Sequence, residues 1–313
     1  MCRIDVVMAT YNGEKYVSEQ VNSVLQNQNC EVFLHIFDDC SSDNTVTLLK
    51  ELKQKYPRHL TVYQNEHNLG LTKNFLFGIR KVMEQNHEAQ YFMCCDQDDV
   101  WNQDKIAKTL KRMKQMEHRF GSDRPLLVFT DAIVTDEHLN EIDSSFYKSQ
   151  HLQVHKTDLA HLLMENKCIG CTVMINRSFE PYLLELPEHA RFHDWWLALI
   201  ASTFGNISFL PRQTMQYRQH AKNVVGGTHF KDYLLNRVKA IGNQQKSLLD
   251  NKKQAEEFHH IFEDVLSIHK KRVIEQFIQV YQKNWFKQRY ILLKNGYLKS
   301  GWIRNVGLLL IFK

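Results

Sequence analysis

The chain has 313 residues, 43% of them hydrophobic and 24% charged, the balance of a soluble globular protein long enough to bury a full core. That composition excludes collagen-like, disordered and disulfide-stapled chains, and no apolar run approaches the roughly 20 residues that span a bilayer. The formal charge is +5, yet residues 226–313 hold 16 Lys and Arg against 7 Asp and Glu, and no acid follows Glu275. Residues 1–225 sum to −4, so the two parts face different partners. An acid at Asp5 stands where a secretion signal would carry its apolar stretch, and a cytoplasmic location is expected. The seven cysteines are expected to be reduced thiols, and Cys168-Ile169-Gly170-Cys171, the one C-x-x-C, reads as buried structural strand.

In chain order, Ile4 to Ala9 reads as a strand, followed by the polar turn Thr10-Tyr11-Asn12-Gly13 and a helical face of Tyr16, Val17, Val21, Val24 and Leu25. Val32 to Phe37 is a second strand ending at Asp38-Asp39, and a helix from Thr45 to about Tyr56 follows. Leu60 to Tyr63, a helix from about Thr72 to Met83, and the strand Tyr91 to Cys94 come next. Asp96-Gln97-Asp98-Asp99 follows that strand directly; Asp104 opens another helix and Leu126 to Thr130 is a fifth strand. Repeated β-α-β units imply an α/β fold with a largely parallel sheet covered by helices on both faces. Beyond residue 150, Leu159 to Glu165 reads as helix, Gly170 to Ile175 as extended, Trp195 to Thr203 as helix and Asn206 to Pro211 as strand. From about Phe230 the chain is helix-rich, with a boundary at Gly226-Gly227.

Ligands of open α/β sheets bind beyond the carboxyl ends of the strands. Thr10-Tyr11-Asn12, Asp38-Asp39 and Asp96 to Asp99 each lie just past such an end, so three loops converge on one crevice. Carboxylates crowded on one turn are costly unless a cation neutralises them, which points to Mg²⁺ or Mn²⁺ shared with phosphate oxygens. No glycine-rich phosphate loop and no G-x-S-x-G are present, which argues against kinase-like, dinucleotide-binding and esterase chemistry. His193-Asp194-Trp195-Trp196 reads in two ways: a general base beside indoles that offer flat faces to a sugar, or a helix capped by Asp194 ahead of a buried Trp pair. Tyr217-Arg218-Gln219-His220 is likewise either a cation and imidazole for diphosphate oxygens or a surface turn. In the tail, Phe277, Tyr281, Trp285, Phe286, Tyr290, Tyr297 and Trp302 are interleaved with Lys283, Lys287, Arg289, Lys294 and Arg304. This pattern fits contact with an anionic membrane, simple packing on the rest of the chain, or nucleic acid, of which the last is not expected beside an acidic crevice.

Taken in order, Val6 to Gly13, Asp38 to Thr45, Asn68-Leu69-Gly70 with Asn74, and Asp96 to Asp99 resemble the family-2 glycosyltransferases of GT-A fold over roughly residues 3–225. Asp-Gln-Asp-Asp-Val-Trp, His-Asp-Trp-Trp and Tyr-Arg-Gln-His further resemble bacterial rhamnosyltransferase-like members that build O-antigen and capsule. The resemblance implies a catalytic region over 1–225, with a nucleotide-sugar half to about 130 and an acceptor half beyond it; composition adds a basic, aromatic-rich helical region over 226–313. It implies an inverting, metal-dependent transfer of a sugar, L-rhamnose by the rhamnosyltransferase-like resemblance, from a nucleotide-diphosphate donor to a glycan or lipid-linked glycan. Thr10, Tyr11, Asn12, Asp38, Asp39, Asn68, Gly70, Asn74, Asp96 and Gln97 would serve the nucleotide, and Asp98 with His220 the metal. Arg218 and His220 would close over the diphosphate, Asp194 would be the base, and Trp195 and Trp196 would meet the acceptor. Cys40 stands where a glycine is usual and His193 where a glutamate is common. A metal-dependent nucleotidyltransferase or phosphohydrolase using the same acidic turn is the alternative.

Overall fold

The structure is a computed structural model that describes residues 2–220 and 241–312. The expected boundary at Gly226-Gly227 lies outside the described residues. The first half follows the predicted alternation: β1 (Arg3–Thr10), α1 (Val17–Leu25), β2 (Glu31–Asp38), α2 (Thr45–Lys55), β3 (Leu60–Gln64), α3 (Leu71–Gln85) and β4 (Tyr91–Cys95). These strands lie in the order β3-β2-β1-β4, all parallel. Ile4, Val6, Val7 and Met8 of β1 have no exposed surface, as expected of a strand covered on both faces. Helix α3 covers one face with Phe75, Leu76, Ile79, Val82 and Met83. It lies so close to the sheet that a Cβ on Gly78 would stand 2.8 Å from Phe37 and 2.9 Å from Val7, which is why a glycine occupies that turn.

The second half comprises β5 (Val100–Trp101), α4 (Lys105–Phe120), β6 (Leu126–Thr135), β7 (Glu141–Asp143), α5 (Phe146–Ser149), α6 (Leu159–Met164), β8 (Met174–Asn176), α7 (His193–Phe204) and β9 (Asn206–Arg218). Here the sheet becomes mixed. β8 inserts antiparallel between β4 and β6, β9 runs parallel to β6, and β5 and β7 add antiparallel edges. Three local expectations change. The fifth strand continues past Thr130 to Thr135, and β9 past Pro211 to Arg218, because the two pair along their length through a register shift near Asp131. The segment from Gly170 begins as a 3₁₀ turn (Gly170–Thr172) before β8, so the C-x-x-C is a buried turn rather than a strand. Tyr217 and Arg218 end a strand and are buried, which removes the surface-turn reading for them.

Among the described residues four helices follow: α8 (Ile241–Ile261), α9 (Ile268–Val280), α10 (Trp285–Asn295) and α11 (Trp302–Ile311). α8 packs on α7 through Trp196 against Phe258, ring centroids 5.2 Å apart. Its Glu257 accepts from the backbone N–H groups of Glu188 and His189, both at 2.7 Å. Phe277 and Tyr297 of the tail are core residues of this helical layer, and Tyr281, partly buried, packs against Phe277. No helix among the described residues is long and apolar enough to cross a membrane.

Candidate active site

Parallel register places Thr10 beside Asp38 and Met8 beside Cys95, so the loops after β1, β2 and β4 open onto one cleft of about 920 Å³. Thr10, Tyr11, Asn12, Asp39, Asn68, Gly70, Asn74, Asp96, Gln97, Asp98, Asp194 and His220 all line it. Each loop is held by the next. The Tyr11 N–H donates to Gln97 Oε1 at 2.9 Å while Gln97 Nε2 donates to the Tyr11 carbonyl at 3.1 Å. Asn12 takes a left-handed φ of +50° and its Oδ1 accepts from the Ser42 N–H at 2.8 Å. Asp38 lies beneath the cleft, accepting from Thr10 Oγ1 at 3.0 Å and from the Ser41 hydroxyl at 2.6 Å. Asp39 Oδ1 accepts from Asn65 Nδ2 and the Leu69 N–H, and Oδ2 from the Gly70 N–H, fixing the Asn68–Gly70 turn at the rim. Asn74 is buried and ties α3 to β2 through the Phe37 carbonyl.

Cys40 keeps the backbone shape that a glycine would give, at φ +66°. An L side chain there costs about 1–2 kcal/mol, so Cys40→Gly should raise stability by about 1 kcal/mol with activity unchanged, as read by denaturant midpoint.

The acidic turn is the electrostatic centre. Asp98 Oδ2 lies 2.8 Å from His220 Nε2, and the His220 ring stacks on Tyr16 at 5.1 Å. Burial first, then the charges of Asp98 and Asp194, hold the Asp96 carboxyl well above the usual carboxylate range. Asp99 is buried: Oδ1 accepts from the Arg218 N–H at 3.0 Å, and Oδ2 is buried without a hydrogen-bond partner. Cys171, Asp96 and Asp99 place one ligand atom each within 4.8 Å of one another. Burial pushes the Cys171 thiol well above its ordinary value, so it stays protonated, and oxygen is what Mg²⁺ or Mn²⁺ prefers. Three carboxylates on one turn, two of which, Asp96 and Asp98, line the cleft, fit a hard divalent cation there.

Arg218 does something other than expected. Its guanidinium donates to the Asp98 carbonyl at 2.8 Å, the Glu137 carbonyl at 2.5 Å and Glu19 Oε2 at 2.5 Å, and lies over Tyr16. With those partners and 3% exposure, it braces the acidic turn and does not reach toward a diphosphate. Beneath it, Lys105 is fully buried, donates to Thr214 Oγ1 at 3.1 Å, and is pushed down to about 8 by burial. Nothing in the sequence separates Lys105 from other helix lysines.

Asp194 lines the same cleft. Its Oδ1 accepts from Asn166 Nδ2 at 3.0 Å and from the Trp195 N–H at 2.6 Å. Burial raises its carboxyl to about 7. Helix α7 starts at His193 after an extended Phe192, so Asp194 is not the cap residue. Its two indole neighbours turn away from the cleft, which corrects the expected acceptor platform. Trp195 Nε1 donates to the Leu162 carbonyl at 2.5 Å, and Trp196 sits at 0% exposure against Phe258 and Phe262. Trp196→Ala should therefore cost about 3–5 kcal/mol of stability, seen in thermal melts, with no selective rise in acceptor KM. His193 lines the cleft, stacked on Phe75 at 3.9 Å with both ring nitrogens buried and unpartnered. Burial pushes its imidazole down to about 3, so this position carries no charge. Asn166 and Gly170, which complete this wall, carry no motif that the sequence reading could have used. A Cβ on Gly170 would meet His193 Nε2 at 2.5 Å.

The sequence model of glycosyl transferase family 2 matches residues 5–161. The dTDP-rhamnosyl transferase RfbG of Shigella flexneri is 28% identical over 228 residues, 70% of this chain and 73% of RfbG. The UDP-Glc:alpha-D-GlcNAc-diphosphoundecaprenol beta-1,3-glucosyltransferase WfgD of Escherichia coli is 25% identical over 66% of this chain and 72% of its own. Among solved structures, S. aureus TarS 1-349 in complex with UDP-GlcNAc aligns with a TM-score of 0.55 at 16% identity, covering 94% of this chain and 79% of that one. The mannosyltransferase PcManGT of Pyrobaculum calidifontis, in complex with GDP-Man and Mn²⁺, aligns at 0.55 and 14% identity over 98% and 78%. These likenesses show the GT-A fold. With the family model covering half of the chain and the loops of its motifs gathered on one cleft, the chain belongs to glycosyl transferase family 2.

Proposed function

We propose that this glycosyltransferase is an inverting, divalent-cation-dependent enzyme that moves a sugar from a nucleoside diphosphate to a hydroxyl of a lipid-linked glycan in bacterial surface polysaccharide synthesis. The observation that carries this reading is the cleft itself, which the acidic turn Asp96–Asp98 and Asp194 line together, close enough that the Asp194 charge helps to raise the Asp96 carboxyl. Thr10, Tyr11, Asn12 and Asp39 border the nucleotide side. Asp98, with Asp96, would hold the cation, and His220 orients the Asp98 carboxylate. A bound cation supplies charge neutralisation for the departing diphosphate. Asp194 accepts the proton of the acceptor hydroxyl as that oxygen forms a bond to the anomeric carbon. The bond to the diphosphate oxygen breaks on the other face, its electrons leave with the nucleoside diphosphate, and one displacement inverts the centre. Likeness to RfbG supports dTDP-rhamnose as the donor, and the name of WfgD supports a polyprenyl-diphosphate acceptor. A panel of dTDP-, UDP- and GDP-sugars with a polyprenyl-diphosphate saccharide, read by mass spectrometry, tests both. Transfer from dTDP-rhamnose is expected; release of free sugar or phosphate without transfer would sink the transferase reading.

A further inference from the structure

Helix α11 is built inside out. Its one charged side chain, Arg304, is buried, donating to Glu165 Oε1 at 3.3 Å and to the Gln150 carbonyl at 2.7 Å. Its exposed positions are instead Trp302, Val306 and Leu310, at 75%, 49% and 71%, four residues apart and hence on one stripe. Helix α10 repeats the arrangement. Arg289 is buried and donates to the Leu309 and Phe312 carbonyls, both at 2.8 Å, which clamps α10 to the end of α11. Phe286, Tyr290 and Leu293 then stand exposed at successive helical turns, with Trp285 beside them. Of the fourteen large apolar side chains exposed on the described surface, seven lie between residues 285 and 310. Scattered apolar residues need no explanation, but a continuous face marks a contact surface.

The charges around this face select its partner. Lys283, Lys287 and Lys294 are exposed on or beside α10. An adjoining groove of about 540 Å³ between α6, α9 and α10 is lined by Lys270, Arg272 and Lys294. Its one carboxylate, Asp158, is already paired with His161 at 2.7 Å. We infer that the α10–α11 face docks on an anionic lipid bilayer: Trp, Tyr and Phe enter the headgroup boundary, and the lysines meet lipid phosphates. No described helix is long and apolar enough to cross a membrane, and the contact inferred is interfacial. The face is also tied to the catalytic wall. The Ser300 N–H donates to Glu165 Oε2 at 2.7 Å, and Lys167 Nζ bonds both Glu165 and the Ser300 hydroxyl. Asn166, between those two, holds Asp194. Docking thus sets the Asp194 side of the cleft next to the bilayer, and it stands independently of which sugar is transferred.

The test uses the full chain, without substrates, and vesicles of phosphatidylcholine alone or mixed with phosphatidylglycerol. The protein should co-sediment with the mixed vesicles only. Lipids brominated along the acyl chain should quench its fluorescence, a signal lost when Trp285→Phe and Trp302→Phe are combined, because the other three tryptophans, Trp101, Trp195 and Trp196, are buried. Trp302→Ser with Leu310→Ser should weaken vesicle binding about tenfold or more through the lost apolar burial. Its melting temperature should be unchanged, and Phe286→Ser on α10 gives the same reading should that pair fold poorly. Equal binding by parent and variants, or no binding by the parent, overturns the inference. So does a parent dimer in analytical ultracentrifugation that these substitutions dissolve, which would assign the face to a second copy of the chain.

Discussion

Asp194→Asn is expected to leave donor binding intact, reduce turnover by about 10²–10⁴, and at the same time stabilise the protein above neutral pH. The two effects share one cause. Burial raises the folded-state carboxyl from 3.8 to about 7, which places it where a base is both available and basic at neutral pH. Turnover of the parent should therefore rise with pH, level off above about 7, and lose that limb in the variant. For stability the sign is opposite to that of an ion-paired acid. An unfolded Asp194 ionises near 3.8, while the folded one resists until about 7, so rising pH through that window favours the unfolded chain. The neutral amide keeps the oxygen that accepts from Asn166 and the Trp195 N–H and escapes the penalty. A gain of about 1–4 kcal/mol at pH 8, shrinking toward pH 4, follows from the shift at 1.36 kcal/mol per unit. Thermal melts of both proteins across that range, beside single-turnover assays, check it. A helix-capping Asp194 would give the reverse, a loss of about 1 kcal/mol at full turnover.

The part of this cleft built from the ends of β1, β2 and β4 is legible because it depends on local order. Strand, polar turn and helix follow one another within a few residues, and parallel pairing aligns the strand ends whatever happens elsewhere. Thr10, Asp38, Asp39 and the acidic turn could thus be placed together from spacing alone. The Asp194 side depends on long-range packing, and there the reading of residue types went astray. Trp195 and Trp196 carry the composition of a sugar platform, but α8 supplies Phe258 and Phe262 to bury the second indole, and those residues stand some sixty positions downstream. Arg218 has the charge for a diphosphate, but Glu19, Tyr16 and two carbonyls from distant loops claim it first. Asn166 and Gly170 form the Asp194 side through a buried turn at the C-x-x-C, a segment whose composition reads as strand. The tail divides in the same way: Phe277, Tyr281 and Tyr297 are inward while Trp285, Phe286, Tyr290 and Trp302 are outward. Composition marked all seven, and only the arrangement of helices separates them.

Asp98→Ala is expected to lower transfer by about 10³ or more, because a divalent cation supplies several kcal/mol of transition-state stabilisation and each 1.36 kcal/mol is tenfold in rate. Two further readouts separate loss of the cation from loss of the fold. First, Mn²⁺ binding in the presence of nucleoside diphosphate, followed by electron paramagnetic resonance, should weaken in the variant. His220→Asn should weaken it less, since His220 meets Asp98 at 2.8 Å and Asp98 with Asp96 would still supply the carboxylates. Second, the variant should not be less stable when no metal is present. Asp98 is one of the charges that hold the Asp96 and Asp99 carboxyls above their ordinary range, and removing it relieves like-charge repulsion within one turn. The Arg218 brace should survive, because it bonds the Asp98 carbonyl and not the carboxylate. EDTA should inactivate the parent, and Mn²⁺ or Mg²⁺ should restore it, while the variant stays low under both conditions. Transfer at the parental rate in EDTA would remove the cation from this chemistry and return the acidic turn to a purely structural role.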